Sequence, residues 1–468
     1  MRYVTPKYRT ALAICAMIVP VMLLSAALAT AQQDSTARKA ADASVRASTG
    51  EAKTPEWSWD FSHRMRFVAW DAGLWGEKGA PVQFTRNRTR AGVTWHPFAS
   101  LTLRAAVVNE FFNWLEYPTP RDFNLDEIAI EHLWLRFAAT LGIPLELTVG
   151  RQDLFLGEGF LIGDGTPLDG SRTIAMNAAR LDAKLAPGHT VTAMYIHQPV
   201  RDTWLTPIND REKRLQEYPV TVAGLWYAAS FQDLRGALYA LRSQASEETF
   251  HDAGYAADAE RNTLGGQLRL EPAPQWSIYG EYAWQSGDIL HEGHAFGSLR
   301  GEGMYFFIEW RNDVLYGTPL TMRLGVVSCS GSPTGLESNQ QITHFDNFDP
   351  LLGRWPKWNE SLVFSQGILP APGYWTNISI PMLDVIVAPS SVLSLRLGAQ
   401  LLRHDAERNE KDGAKRIGEL LLLHVFWKPQ LPLSALLHLE RLWYDPNYAP
   451  PRSGYWWGRV EVMYRLAG

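Results

Sequence analysis

The sequence predicts an all-β fold, a transmembrane antiparallel β-barrel of roughly sixteen to eighteen strands at about ten residues per strand. Three observations lead there. Along its 468 residues the chain carries many short segments in which apolar and polar residues alternate with period two. Its 19 Trp and 17 Tyr are the residues that form interfacial girdles in such barrels. Beyond residue 31 no apolar run is long enough for a membrane helix, so strands must make any crossing.

At the N-terminus, Arg2, Lys7 and Arg9 precede an apolar run from Ala11 to Ala29, and Ala29-Thr30-Ala31 follows. A charged start, an apolar middle and a small-x-small exit read as a secretory signal peptide over residues 1–31; a transmembrane anchor is the alternative. Leu12-Ala13-Ile14 before Cys15 is a poor lipoprotein box, so no lipidation is expected. Cleavage after residue 31 would remove three positive charges and no acid, taking the formal net charge from -5 to -8. An acidic chain excludes a broadly basic nucleic-acid binder and confines any basic patch to one place. Only Cys329 would remain, so no intramolecular disulfide can form. Residues 32–56, polar and without periodicity, read as a disordered periplasmic lead-in, and residues 57–468 as the barrel with long extracellular loops.

In the first strand, Trp57, Trp59, Phe61, Met65 and Phe67 share one parity, and Ser58, Asp60, Ser62, Arg64 and Arg66 share the other. In residues 84–95, Arg86, Arg88 and Arg90 oppose Ala91, Val93 and Trp95. Taken alone, this hairpin fits a soluble sandwich with its arginines in water equally well. Alternation then continues through Leu101, Leu103, Ala105 and Val107 against Thr102, Arg104, Ala106 and Val108. Residues 126–137 are ambiguous. Ile128, Ile130 and Trp134 share a parity with His132 and Arg136, while Glu127 and Glu131 share theirs with Leu133, Leu135 and Phe137.

Residues 145–150 alternate again and run into Gly150-Arg151-Gln152, followed by Gly157, Gly159 and Gly163. The spacing is not that of a P-loop, and such glycines mark bends or close backbone approach. Further strands are expected at 178–185, 190–197, 220–229, 236–242, 263–270, 276–285, 304–311, 320–328, 392–404, 417–427, 433–443 and 455–466. Turn signals such as Pro187-Gly188 and Lys428-Pro429-Gln430 separate them, which favours a meander in which sequential neighbours pair. In the last strand Trp456, Val460, Val462, Tyr464 and Leu466 oppose Arg459, Glu461 and Arg465. Residues 204–218, 243–261, 328–360 and 405–415 are expected as external loops.

At Gly150-Arg151-Gln152, Gly157-Glu158-Gly159 and Asp169-Gly170-Ser171-Arg172 the chain resembles the alginate export family of bacterial outer-membrane porins. The resemblance extends through Arg86-x-Arg88-x-Arg90, Phe348-Asp349-Pro350-Leu351 and Arg416-Ile417-Gly418-Glu419-Leu420, in the same order. It implies a monomeric eighteen-strand barrel in the outer membrane of a Gram-negative bacterium, passing an anionic, alginate-like polysaccharide. Periplasmic export components are then candidate partners. The alternative is a general small-solute porin with anion preference.

On the expected parity, Arg64, Arg66, Arg86, Arg88, Arg90 and Arg104 face one lumen wall, with Asp60, Glu110, Arg459 and Glu461 beside them. Guanidinium forks pair with carboxylates, and many weak sites in a row let cargo leave as well as enter. The competing reading is a structural lining in which arginines and acids neutralise one another. No His-x-x-x-His pair and no Gly-x-Ser-x-Gly elbow occurs, so no catalytic residue, metal or cofactor is expected. Glu131-His132 and His438-x-Glu440 read as lumen hydrogen-bond partners. A barrel-embedded hydrolase built from loops is the remaining alternative.

Overall fold

A computed structural model describes residues 56–71, 82–116, 127–164, 175–209, 215, 218–250, 255–291, 294–315, 317–332, 344–353, 360–361, 376–405, 416–429, 432–447 and 453–468. The expected signal peptide and lead-in fall outside these. The wall begins with β1 (Glu56–Trp70), β2 (Val82–Phe98), β3 (Leu101–Glu116), β4 (Glu127–Leu141) and β5 (Ile143–Gln152). Two short strands follow, β6 (Leu154–Phe155) and β7 (Gly163–Asp164), which pair only with each other. The wall resumes with β8 (Met176–Ala186), β9 (His189–Gln198), β10 (Val220–Phe231), β11 (Leu234–Phe250), β12 (Tyr255–Ala273), β13 (Trp276–His291), β14 (His294–Leu315) and β15 (Thr318–Cys329). After the short β16 (His344–Phe345) it is completed by β17 (Ile378–Ser390), β18 (Leu393–Arg403), β19 (Arg416–Trp427), β20 (Leu433–Tyr444) and β21 (Gly454–Ala467).

The 18 wall strands pair antiparallel with their sequence neighbours, and β21 pairs with β1 from Asp60↔Ala467 to Trp70↔Trp457, so the sheet closes as expected. Trp59 and Gly468 exchange backbone hydrogen bonds of 2.8 and 3.0 Å at the seam. Short turns lie at the end that carries both termini, as at residues 99–100, 142, 187–188 and 232–233; the long connections lie at the other. That asymmetry assigns the turn end to the periplasm.

Burial separates the faces. Arg64 and Arg66 are each 2% exposed, whereas Trp57, Trp59 and Met65 on the opposite parity are 61%, 49% and 46% exposed. Leu225, Leu264, Leu324, Leu397 and Leu421 project outward along the other strands. Trp57, Phe98, Phe231, Trp276 and Trp427 ring the turn end, and Trp443 and Trp456 lie toward the other.

The ambiguous segment is resolved by a β-bulge. Register shifts between Ala106 and Val107, which face His132 and Ile130, so Glu131 is extra. Glu127, Ala129 and Glu131 are buried on one side of the bulge and His132 on its other, while Leu133, Leu135 and Phe137 turn outward. One inserted residue switches the inward parity.

Three expectations are corrected. β17 fell in a stretch where no strand was foreseen, because Pro381 interrupts its pattern. The ladder with β18 skips from Ser379↔Arg403 to Met382↔Gln400, which is where Pro381 has no N–H to give. Residues 243–261 contain the ends of β11 and β12, paired as far as Phe250↔Tyr255 across a bulge, so only four residues remain as connection. Within 328–360, residues 346–353 fold back into the barrel, as described below.

Leu324, 60% exposed near the middle of β15, tests the outward face. Leu324→Arg is expected to destabilise the membrane-inserted barrel by ~2–4 kcal/mol, measured by reversible unfolding in lipid, with little effect from Leu324→Phe.

Candidate functional site: an arginine ladder beside an inward hairpin

The register of the first three strands sets arginines against each other. Arg64 lies opposite Arg88 and Arg66 opposite Arg86 across β1 and β2. Arg88 then faces Glu110, and Arg104 faces Thr94, across β2 and β3. At the seam, Glu461 stands opposite Arg66, with Arg459 one inward position away along β21. Arg64, Arg66, Arg86, Arg88, Glu110 and Arg459 are buried in the interior.

Like charges directly opposite on a sheet are unfavourable, so the acids between them matter. Arg66 donates to Glu461, Arg90 forms an ion pair with Glu131, and Arg459 donates to Glu360. Arg104 donates to Asp60 at 2.8 Å. Glu360 also lies 3.4 Å from His438 Nδ1, while His438 Nε2 is 2.7 Å from Glu440. The Glu440 carboxylate accepts the backbone N–H groups of Glu360 and Ser361 at 2.6 and 3.0 Å. Glu360 lies far from this wall in sequence and within an expected external loop, so no periodicity pointed to it.

His132, placed inward by the bulge, joins the ladder to the segment after β5. Its Nδ1 lies 3.0 Å from Arg90 Nη2 and 3.1 Å from Arg104 Nε, and its Nε2 lies 2.9 Å from Asp153 Oδ1. A ring nitrogen facing two guanidinium donors must accept, which leaves Nε2–H to donate to Asp153.

The Gly150-Arg151-Gln152 motif has a structural reading. Gly150 has φ 122°, and a Cβ there would sit 2.2 Å from the Leu133 carbonyl oxygen. Arg151 donates to Asp202 through both terminal nitrogens at 2.5 and 2.7 Å, to Asn177 at 3.0 Å and to the Ile130 carbonyl at 3.0 Å. Gln152 donates to the Ala178 carbonyl at 3.1 Å. β5 pairs with β4 only from Leu133 to Leu141, so the remainder of β4 needs another partner. Residues 199–209 supply it: Ile208 N–H donates to Ile128 O at 2.7 Å, and Ile128 N–H to Asn209 Oδ1 at 3.1 Å. Arg151 and Asp202 thus tie a connecting segment over an incomplete part of the wall.

Gly157 and Gly159, with φ 60° and 78°, turn the chain between β6 and β7. Glu158, at the tip, accepts from Arg269 on β12 at 2.8 Å, so this hairpin crosses the interior to a strand five positions along the sheet. It meets residues 346–353. Leu352 N–H donates to Leu161 O at 3.0 Å, and Phe160 stacks on Phe348 at 5.3 Å. Asp349 pairs with Arg261 at 3.1 Å, and its backbone exchanges bonds of 2.7 and 2.8 Å with the Gln285 side chain. Gly303 makes room for the Phe348 ring, which a Cβ would approach to 2.4 Å. The Phe348-Asp349-Pro350-Leu351 motif therefore serves as an interior latch. Asp169, Gly170 and Arg172 lie outside the described residues.

A closed antiparallel sheet with an apolar outer face, a charged inner face and an inward-folded segment defines an outer-membrane β-barrel of the porin type. Residues 94–315 match the family described as Alginate export. Among solved structures, the chain is similar to a BenF-like porin from Pseudomonas fluorescens Pf-5, at 10% identity and TM-score 0.56, covering 88% of this chain and 99% of that one. It is similar to the outer membrane protein opdK from Pseudomonas aeruginosa, at 12% identity and TM-score 0.55, with 88% and 99% covered. It is likewise similar to Pseudomonas aeruginosa OccK2 (OpdF), solved in complex with glucuronate, at 13% identity and TM-score 0.54, with 88% and 98% covered. No curated protein matches. The chain is thus an outer-membrane protein of a Gram-negative bacterium.

Two substitutions probe this architecture. Arg151→Ala strands a buried Asp202 and is expected to lower stability by ~3–5 kcal/mol, read as a lower thermal midpoint in detergent. Asp349→Ala removes one side of the interior latch, and single-channel recordings are expected to show larger or noisier unit conductance.

Proposed function

We propose that the barrel is a passive channel for carboxylate-bearing saccharides, its preferred cargo an alginate-like anionic polysaccharide drawn along the arginine ladder. The observation that carries this reading is the direct opposition of Arg64 with Arg88 and Arg66 with Arg86. Fold stability alone disfavours such pairs, and a polyanion repays them with charge-assisted hydrogen bonds from several guanidinium groups at once. The acids Glu110, Glu131, Glu360 and Glu461 keep any one contact weak, as transit requires. No bond is made or broken, so the proposal needs no cofactor and no catalytic group. The proposed unit is a monomer, as the resemblance to the alginate export family implies.

A second reading, diffusion of small anionic solutes, is favoured by the hairpin and latch that narrow the interior. The similarity to a porin solved with glucuronate suits both, since a uronate is a small anion and also the repeating unit of an alginate-like polymer.

Planar-bilayer recordings separate the two. Uronate oligomers are expected to block chloride current with residence times that lengthen with chain length, and Arg64→Glu with Arg88→Glu to abolish block and reverse ion preference. Arg64→Gln with Arg88→Gln, which adds no buried acid, is expected to weaken block at least tenfold. Free passage of monomeric uronates with no length-dependent block would select the small-solute reading.

A further inference from the structure

At the foot of the ladder, toward the turn end, the inner faces of β2, β3, β4, β5 and β8 line an open cavity of about 330 Å³. That lies at the small end of the ~300–1,000 Å³ typical of ligand sites, room for a single sugar unit. Its lining takes the last two arginines of the ladder and adds other chemistry. Arg90 and Arg104 enter from β2 and β3, Asp182 with its partner Arg180 from β8, Asp153 from the chain after β5, and Trp134 on β4 lies between them. A plain anion channel needs the arginines. Acids among the arginines serve transit as well, but an indole in the same small space adds an apolar contact that movement of charge does not require.

Those three chemistries together match one ligand class. Guanidinium forks take a carboxylate, acidic side chains accept from ring hydroxyls, and the indole covers an apolar sugar face. Local contacts leave the site able to exchange partners. Arg136 lies over the Trp134 ring at 4.9 Å and pairs with Glu146 at 3.2 Å, both of the latter about two-fifths exposed, which makes that pair weak. Asp182 is held by Thr192 at 2.5 Å and Arg180 at 2.8 Å, with its aim fixed. His132, itself buried, holds Arg90, Arg104 and Asp153 in one arrangement through the contacts given above.

We propose that this cavity is a periplasm-facing subsite for one hexuronate unit, with Arg90 and Arg104 on the carboxylate, Asp153 and Asp182 on ring hydroxyls, and Trp134 under the ring once Arg136 has swung aside. The proposal rests on the channel reading above, and assigns to its lower end a recognition of sugar as well as charge.

Calorimetric titration of the purified full chain in detergent tests it, with galacturonate, its linear trimer, galactose and acetate as probes. Galacturonate or the trimer is expected to bind at least tenfold more tightly than galactose, which lacks the carboxylate, and than acetate, which lacks the ring. Binding by both marks recognition of a unit within a polymer; binding by the monomer alone marks a free sugar acid. Trp134→Ala and Asp182→Asn are each expected to weaken binding about tenfold, and Trp134→Phe to restore most of it. Acetate binding as tightly as galacturonate, or unaltered affinity in both variants with the barrel intact by circular dichroism, overturns the subsite. Loss of polyanion block in bilayers alongside intact, Trp134-dependent galacturonate binding would instead defeat the polysaccharide channel and leave the subsite standing.

Discussion

In hydrocarbon there is no water to satisfy a backbone amide, so each strand of a membrane sheet must find two partners, and the pairing of β1 with β21 is the contact on which everything else in this molecule depends. Once the sheet closes, every second side chain is committed to lipid and every other to the interior. Arginines on the first three strands then have only one place to go. The same constraint explains the most elaborate local device in the fold. β5 is too short to cover β4, and the open edge is covered by residues 199–209, held by the buried Arg151–Asp202 pair. The cost of burying two charges is offset by the bidentate geometry, by the Ile130 carbonyl that receives Arg151 and by the Leu205 N–H that donates to Asp202.

The interior is organised by departures from regular pairing. A single extra residue at the β4 bulge brings Glu131 and His132 inward together, and with them an ion pair to Arg90 and a junction to Asp153. Just beyond, glycines with positive φ let the chain leave the wall and cross to β12, where Glu158 meets Arg269. Residues 346–353 return from the other side to meet it. The far wall is packed tightly by side chains: Asp384 receives both Arg323 and Arg396, Glu281 receives Tyr239 and Tyr305, and Trp226 stacks on Tyr239 at 4.6 Å.

Arginines stand opposite arginines on this inner wall, with acids beside them: Glu461 from the last strand and Glu360 from the connection after β16 at Arg66, and Glu110 from the next strand opposite Arg88. Each like-charge rung has an acid in register on one side only, Glu110 opposite Arg88 and Glu461 opposite Arg66, while Arg64 and Arg86 face arginine partners.

Much of this was legible before any fold was known. Alternation in residues 57–67 and 84–95 assigned the arginines to one face and the tryptophans to the other, because a strand's side chains have a period of two whatever surrounds it. Length, at about ten residues per strand, bounded the strand number at roughly sixteen to eighteen, and the family resemblance implied eighteen. What periodicity could not supply were contacts made where the period breaks or between segments far apart in the chain. The bulge at Glu131, the proline-bearing strand at 378–390, the inward turn of residues 346–353 and the partners Asp202 and Glu360 all belong to that kind. The sequence by itself determined which side chains share a face, since that is a property of one strand; only the closed barrel decided which of them meet, since that depends on register, bulges and inward loops set by the whole sheet.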